Sequence, residues 1–326
     1  MEVSAKEVRD YLIDDDKLLF DKIESHEILG ATQHIKIIGN MLLNSTNNSF
    51  EKGDSAETLQ KVIESISTFY IQTRGVASKA ITNSILLMIK GIKENDDSPE
   101  HIVEAIRANI KAYGVDSKKN SEKAINIASE ELREYKKIFL YDYSSTVEKS
   151  IIALAKNVEK IHIYIAESSS INGGNPYLSL LKQKNITIDF FPDSAIYHKL
   201  KECDVCLMGA ETFYADGTGF NTIGSDMVGV LCNRLNIPLY FITPMIKLDI
   251  DRMFGLRKKL VYLDLKKRLV NVDKEIDTSR INCVIPELIG VDPGDIYAFI
   301  TESGVIPSNQ LFGMSLEYNY YLKGDN

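Results

Sequence analysis

Basic residues are in the minority: 38 Lys and Arg stand against 46 Asp and Glu, a formal charge of −8 over 326 residues. Duplex DNA and anionic membrane surfaces are held by clustered cations, so neither is expected as the main partner. Long apolar runs are missing as well. The most apolar helix candidate, Ala80 to Ile92, is interrupted by Asn83, Ser84 and Lys90 and is too short to span a bilayer. The first ten residues, MEVSAKEVRD, are charged throughout and supply no signal-peptide core, so a cytoplasmic location is expected. Cysteine is scarce, and Cys203, Cys206, Cys232 and Cys283 make no disulfide framework. The Cys203-Cys206 spacing has no second pair or nearby histidine to complete a zinc set, so packed thiols are expected and no metal. Gly217-Thr218-Gly219 lacks the third glycine of a dinucleotide fingerprint, and no cofactor is expected.

What is present is a soluble composition, 44% hydrophobic and 26% charged, in a chain long enough for two domains. Residues 1–135 carry helical periodicity without convincing strands. Ile28, Leu29, Ile35, Ile38, Met41 and Leu42 outline one helix. Leu59, Val62, Ile63, Ile66 and Phe69 outline a second, with Ser55 as its cap. Further helices are expected around Ile81–Ile89, Ile102–Ile110 and Ser121–Lys136. Thr73-Arg74-Gly75 interrupts this pattern. An arginine beside a glycine suits a phosphate or carboxylate, or is a turn whose arginine pairs with a glutamate.

From residue 136 to 326 short apolar runs alternate with helices: strands at 137–141, 161–166, 186–191, 205–209 and 239–242, with helices between. That alternation predicts an α/β domain with a parallel sheet covered on both faces. An acidic residue follows each of the first four runs: Asp142, Glu167, Asp193 and Glu211. Ligands of such sheets sit beyond the carboxyl ends of the strands. Carboxylates gathered there need a cation, a proton or a hydroxyl-rich ligand, which points to a sugar or polyol. Asp193, ahead of Ser194, also suits a helix cap. After Glu211 comes a turn rich in Asp, Gly and Asn, then helical spacing from Ile223 to Leu235. The Asn221–Ser225 turn therefore opens a helix, where anions are favoured. Gly173-Gly174 either turns the chain or lets backbone approach a ligand.

The stretch DVCLMGAETFYADGTGFNTIGS, residues 204–225, resembles the signature of the initiation factor 2B alpha/beta/delta family. That family includes ribose-1,5-bisphosphate isomerase and methylthioribose-1-phosphate isomerase. Thr73-Arg74-Gly75-Val76-Ala77 is similar to the phosphate-binding arginine turn of those isomerases. Asp193-Ser194-Ala195-Ile196 resembles the segment before the central strand, and Pro293 to Gly304 resembles the family's C-terminal helix and turn. The resemblance implies a helical domain over 1–135, a Rossmann-like α/β domain over 136–326 carrying the pocket and the dimer surface, and a homodimer.

The departures bear on chemistry. Asp142 stands where the isomerases have a cysteine acid, and Glu211 replaces their catalytic aspartate. Ser169 falls where a sugar-phosphate arginine belongs, beside Glu167. Asn221-Thr222-Ile223-Gly224-Ser225 lacks the lysine of the corresponding turn. The resemblance thus implies an initiation-factor-2B-like protein that binds a sugar phosphate or nucleotide in a diverged isomerase pocket. Its contacts would be Arg74, Gly75, Asn221, Thr222, Glu167 and Ser169. The alternative is an aldose–ketose sugar-phosphate isomerase with Asp142 and Glu211 as acid and base.

Overall fold

A computed structural model describes residues 3–25, 27–28, 30–92, 98–254, 261–269 and 276–323. The chain divides into two units, one of Met1–Lys119, Ile246–Leu248 and Met314–Asn326, the other of Asn120–Met245 and Asp249–Gly313.

The first unit is helical, with α1 (Ala5–Tyr11), α2 (Asp14–Glu24), α3 (Ala31–Glu51), α4 (Ala56–Gln72), α5 (Arg74–Ala77) and α6 (Lys79–Met88). Ile38, Met41 and Leu42 of α3, Leu59, Ile63 and Ile66 of α4, and Ile85 of α6 are buried in one core. Their helical spacing is the periodicity visible in the sequence. Ser55 caps α4, its hydroxyl accepting from the Thr58 N–H. Leu29, placed by periodicity in the first of these helices, lies outside the described residues, and α3 begins at Ala31. Asn83, one of the polar residues inside the most apolar helix, donates from Nδ2 to the carbonyls of Ile246 and Leu248, both at 2.9 Å. That pair of bonds accounts for the return of residues 246–248 to this unit. No described helix is long and apolar enough to cross a membrane.

The helices expected at 102–110 and 121–136 are a single one, α7 (Pro99–Glu131). The unit boundary falls inside it, between Lys119 and Asn120, where the periodicity placed it after residue 135. Beyond the boundary, Ala128 and Leu132 pack into the core of the second unit.

The second unit runs β1 (Lys137–Leu140), α8 (Ser145–Ala155), β2 (Ile161–Ala166), a 3-10 segment (Asn175–Lys182), β3 (Ile186–Phe191), α9 (Ile196–Leu200), β4 (Val205–Met208), β5 (Thr212–Tyr214), β6 (Gly219–Thr222), α10 (Ser225–Leu235) and β7 (Leu239–Ile242). The main sheet has the order β3-β2-β1-β4-β7, then Ala298–Thr301 and Gly304–Pro307. All neighbours are parallel except the last pair. β4 and β7 are buried at every position, as strands covered on both faces must be.

Two segments depart from expectation. The polar stretch after Glu211 is a hairpin, β5–β6, whose turn has Gly217 at φ 92° and the Thr218 N–H bonded to Asp216 Oδ1. The segment from Pro293 to Gly304, expected as a C-terminal helix and turn, contains a 3-10 turn and the strand Ala298–Thr301. The physical reason is its Ala-Phe-Ile-Thr run, apolar and β-branched, fully buried and paired with β7. The chain's last helix comes later, as α11 (Leu311–Lys323).

The order of the strands locates a crevice. From β1 the chain moves through β2 to β3 on one side, then returns so that β4 pairs with the opposite edge of β1. Between β1 and β4 the winding reverses, and the helices leaving the two carboxyl ends diverge.

Candidate functional site

Asp142 and Glu211 leave the two strands that flank this reversal. Asp142 is the second residue past the end of β1 and has φ 60°. Ser168, the second residue past β2, has φ 49°. Left-handed backbone at a non-glycine residue costs free energy and gathers at functional sites, and here it recurs at the same place after adjacent strands.

The Asp142 carboxyl is buried, 7% exposed. The Thr222 hydroxyl, from β6, donates to its Oδ2 at 2.7 Å. Its Oδ1 lies where a Cβ on Gly173 would be, 2.0 Å from that ideal position. Any side chain at 173 would therefore displace the carboxyl, so Gly173 serves close approach to Asp142 and not a turn alone. Burial pushes the Asp142 carboxyl above the ordinary range, the Thr222 hydroxyl and the Tyr143 N–H pull it back, and the charge of Glu211 adds to the rise. Glu211 is half-buried, and its N–H bonds to the Phe220 carbonyl, continuing the β5–β6 ladder to the end of β4.

Close packing brings the other elements in. A Cβ on Gly209, the first residue past β4, would meet Ser144 Cβ at 2.4 Å, so the β1–α8 loop touches the end of β4. Ser144 caps α8, and its own N–H donates to the Tyr177 hydroxyl at 2.9 Å. Asp193 was expected as a cap for the helix after it. Instead its carboxylate accepts from the Ser168 N–H, the Ser169 N–H and the Ser169 hydroxyl at 2.7–2.9 Å. Those bonds fold the loop after β2 over the end of β1, and Glu167 closes it with backbone bonds to Phe191 and Gly174. Ser169 is therefore turned to Asp193.

Several polar atoms here have no partner. Ser170 Oγ in that loop, Asn221 Nδ2 on β6, Ser225 Oγ in the first turn of α10 and Thr243 Oγ1 past β7 are buried without a hydrogen bond. Buried orphans are rare in folded proteins and each calls for an explanation. A separate cavity of about 680 Å³ opens at the amino ends of the strands, lined by Tyr135, Asn236 and Tyr297 among others. None of the unpartnered atoms lines it, so the carboxyl edge is the better candidate. Among the described residues no group of three or more His, Cys, Asp or Glu is placed to hold a metal.

Residues 33–308 match the Initiation factor 2 subunit family. The chain belongs to that family. Its relatives include ribose 1,5-bisphosphate isomerases from Archaeoglobus fulgidus, 21% identical over 90% of both chains, and from Pyrococcus furiosus, 23% identical over 88% of this chain and 89% of the relative. Among solved structures, the translation initiation factor eIF-2B of Pyrococcus horikoshii OT3 superposes with a TM-score of 0.69 at 15% identity, covering 91% of this chain and 98% of that one. The 5-methylthioribose 1-phosphate isomerase of the same organism gives 0.68 at 16%, covering 97% and 88%. A helical N-terminal region followed by a mostly parallel α/β sheet is the architecture shared with these neighbours.

Within this Initiation factor 2 subunit family chain, the second unit brings together Asp142 and Thr222 by a hydrogen bond and Asp142 and Glu211 by charge. Asn221 sits beside Thr222, and Glu167 and Ser169 lie in the loop over β1. Arg74 and Gly75 belong to the helical unit. There the Arg74 Nη2 donates to the Ile23 carbonyl at 2.6 Å and pairs with Glu24 Oε1 at 3.2 Å, while a Cβ on Gly75 would meet Thr82 Oγ1 at 2.3 Å. Sequence reasoning missed Ser168 and Gly173 as the wall of Asp142, while it marked Ser225 only as the end of the Asn221–Ser225 turn. Only Gly173-Gly174 carried a visible signal, the allowance for close backbone approach.

Proposed function

We propose that this chain binds a phosphorylated sugar at the carboxyl ends of β1 and β4. The observation that carries the reading is a buried carboxyl, Asp142, bonded to Thr222 at the end of β6, in a segment whose Asn221 and Ser225 carry unpartnered polar atoms. Asp142 and Glu211 suit sugar hydroxyls, and the first turn of α10 with Asn221 and Ser225 suits the phosphate. The reading assigns ligand contacts to the second unit alone. It takes the chain as a cytoplasmic homodimer. One solved neighbour, from Chaetomium thermophilum, is a tetrameric eIF2B-beta2-delta2 complex.

A second reading, that the pocket turns its ligand over as an aldose–ketose isomerase, is favoured by one feature. Asp142 is pushed toward its protonated form, with burial the main cause and Glu211 contributing. Isomerisation moves a proton between neighbouring carbons and needs an acid and a base on one substrate. Asp142 would give the proton and Glu211 would take it. The isomerases among the relatives support this reading.

The test is a thermal-shift panel of ribose 5-phosphate, ribose, AMP and inorganic phosphate against wild type and Asn221→Ala. A ligand at 100 times its Kd adds about 2.7 kcal/mol to apparent stability. Ribose 5-phosphate is expected to raise the wild-type melting temperature more than ribose or phosphate does, and Asn221→Ala to lose most of that gain. Indifference of the wild type to every member of the panel would sink the reading. A response to AMP alone would replace the sugar phosphate by a nucleotide.

A further inference from the structure

Tyr141, the residue between the end of β1 and Asp142, has no part in the chemistry above. Its ring is buried, 3% exposed, and its hydroxyl donates to the Ile223 carbonyl at 2.9 Å, 82 positions along the chain. That carbonyl belongs to the turn that opens α10. The next residue, Gly224, has φ 97° and is the N-cap of the helix without a side chain to cap it. An ideal Cβ on Gly224 would lie 2.2 Å from the Tyr141 oxygen, so the phenol fills the space that a side chain would occupy. Behind the turn is Ser225, fully buried with an unpartnered Oγ, and ahead of it Asn221 with an unpartnered Nδ2. A helix whose N-cap is glycine has no side-chain oxygen to satisfy its first N–H groups. Those groups and the two side chains point to an anion.

We infer that Tyr141 is a positioning residue for phosphate: its hydroxyl, by holding the Ile223 carbonyl, fixes the left-handed turn that presents the α10 amides, Asn221 and Ser225 to the ligand. The inference rests on the proposed sugar-phosphate pocket and adds a device to it. One buried side chain reaches from β1 to α10 and ties the acid-bearing end of the site to its anion-binding end. Without the hydroxyl the Ile223 carbonyl loses its side-chain anchor. The turn then keeps the backbone bonds of the Ile223 N–H to the Glu287 carbonyl and of the Val228 N–H to the Gly224 carbonyl, with a glycine whose own dihedrals are little restricted. The sugar half of the pocket keeps bonds of its own, from the Thr222 hydroxyl to Asp142 and from the Glu211 N–H to the Phe220 carbonyl. The effect of losing the hydroxyl is therefore specific to the phosphate group.

The experiment is calorimetric titration of wild type and Tyr141→Phe with ribose 5-phosphate and with ribose. Tyr141→Phe is expected to weaken ribose 5-phosphate about tenfold, the scale of one well-placed hydrogen bond, and to leave ribose within about twofold. Equal losses for both ligands, or no loss for either, would overturn the role of Tyr141 while leaving the pocket standing. Failure of the wild type to bind ribose 5-phosphate would overturn the pocket, and this inference with it. Should Tyr141→Phe not fold, 3-fluorotyrosine placed at position 141 alone decides the matter in the otherwise native chain. Its fluorine resonance is expected to move on saturation with ribose 5-phosphate and not with ribose, and a resonance unmoved by either contradicts the assignment.

Discussion

On the isomerase reading Asp142→Asn is expected to abolish turnover of a sugar phosphate, and on either reading it is expected to stabilise the chain near neutral pH. Loss of a positioned general acid costs about 10²–10⁴ in rate. Asparagine is the gentlest replacement available. It tolerates φ 60° as well as aspartate does, and its carbonyl oxygen can still accept from the Thr222 hydroxyl. A fall in rate would therefore report the missing proton and not a collapsed loop.

The stability effect follows from the direction of the Asp142 shift. The folded carboxyl holds its proton above the ordinary carboxylate range, whereas the unfolded one releases it near about pH 3.9. Below that pH both states are protonated and wild type has no ionisation penalty. As pH rises from the unfolded value to the folded one, the unfolded carboxyl ionises while the buried one keeps its proton, so wild type loses stability until the folded group charges as well. Asp142→Asn has no such group, so its advantage over wild type is expected to grow as pH rises through that window and then to level off. Denaturant titrations of both chains between about pH 3.5 and 8 check this. An advantage constant with pH, or one that shrinks as pH rises, would contradict the buried, proton-holding carboxyl.

The second large effect concerns what holds the site's hairpin in place. Phe299 is fully buried in the strand Ala298–Thr301. Its ring stacks on Phe213 of β5 at 5.1 Å between centroids and on Phe241 of β7 at 5.5 Å. The three rings join the β5–β6 hairpin, which carries Asn221 and Thr222, to the main sheet. On the other side a Cβ on Gly219 would come within 3.0 Å of Phe241, leaving no room for the hairpin to slide inward. Phe299→Ala is expected to lower stability by about 3–5 kcal/mol through lost burial and the cavity left behind. The denaturation midpoint should fall with the slope unchanged. Amide exchange over residues 212–222 should quicken more than over β1 or β2, because the hairpin loses its anchor and those strands do not. A loss under about 1 kcal/mol would mean that the hairpin is held by something else.

Much of the second unit was legible from its apolar runs. β2 and β7 fall where Ile161–Ala166 and Leu239–Ile242 predict them, because central strands covered on both faces are nearly continuously apolar, and the edge strand β3 falls at Ile186–Phe191 with Thr187 and Phe190 exposed. The acidic residues that follow β1 to β4, Asp142, Glu167, Asp193 and Glu211, were legible because each closes an apolar run in the sequence. The β5–β6 hairpin was hidden by its composition. Its strands are three and four residues long, and the Asp, Gly and Asn between and within them read as one turn. Ala298–Thr301 was obscured by resemblance to a helix, although its residues favour a strand. The state of Asp142 was not legible at all. It depends on Thr222, 80 positions away, and on a glycine loop after a different strand, contacts that only the folded sheet creates. Asp193 shows the same limit: its neighbour Ser194 suggested a local cap, while its carboxylate reaches back to the Ser168 and Ser169 amides.

Amide chemical-shift mapping during titration with ribose 5-phosphate tests the placement of the site most directly. The largest perturbations should fall on residues 142–144, 209–211 and 221–225, where β1, β4 and α10 present their ends to the crevice. Perturbations confined to residues 293–297 and 307–309, beside the cavity at the amino ends of the strands, would contradict it.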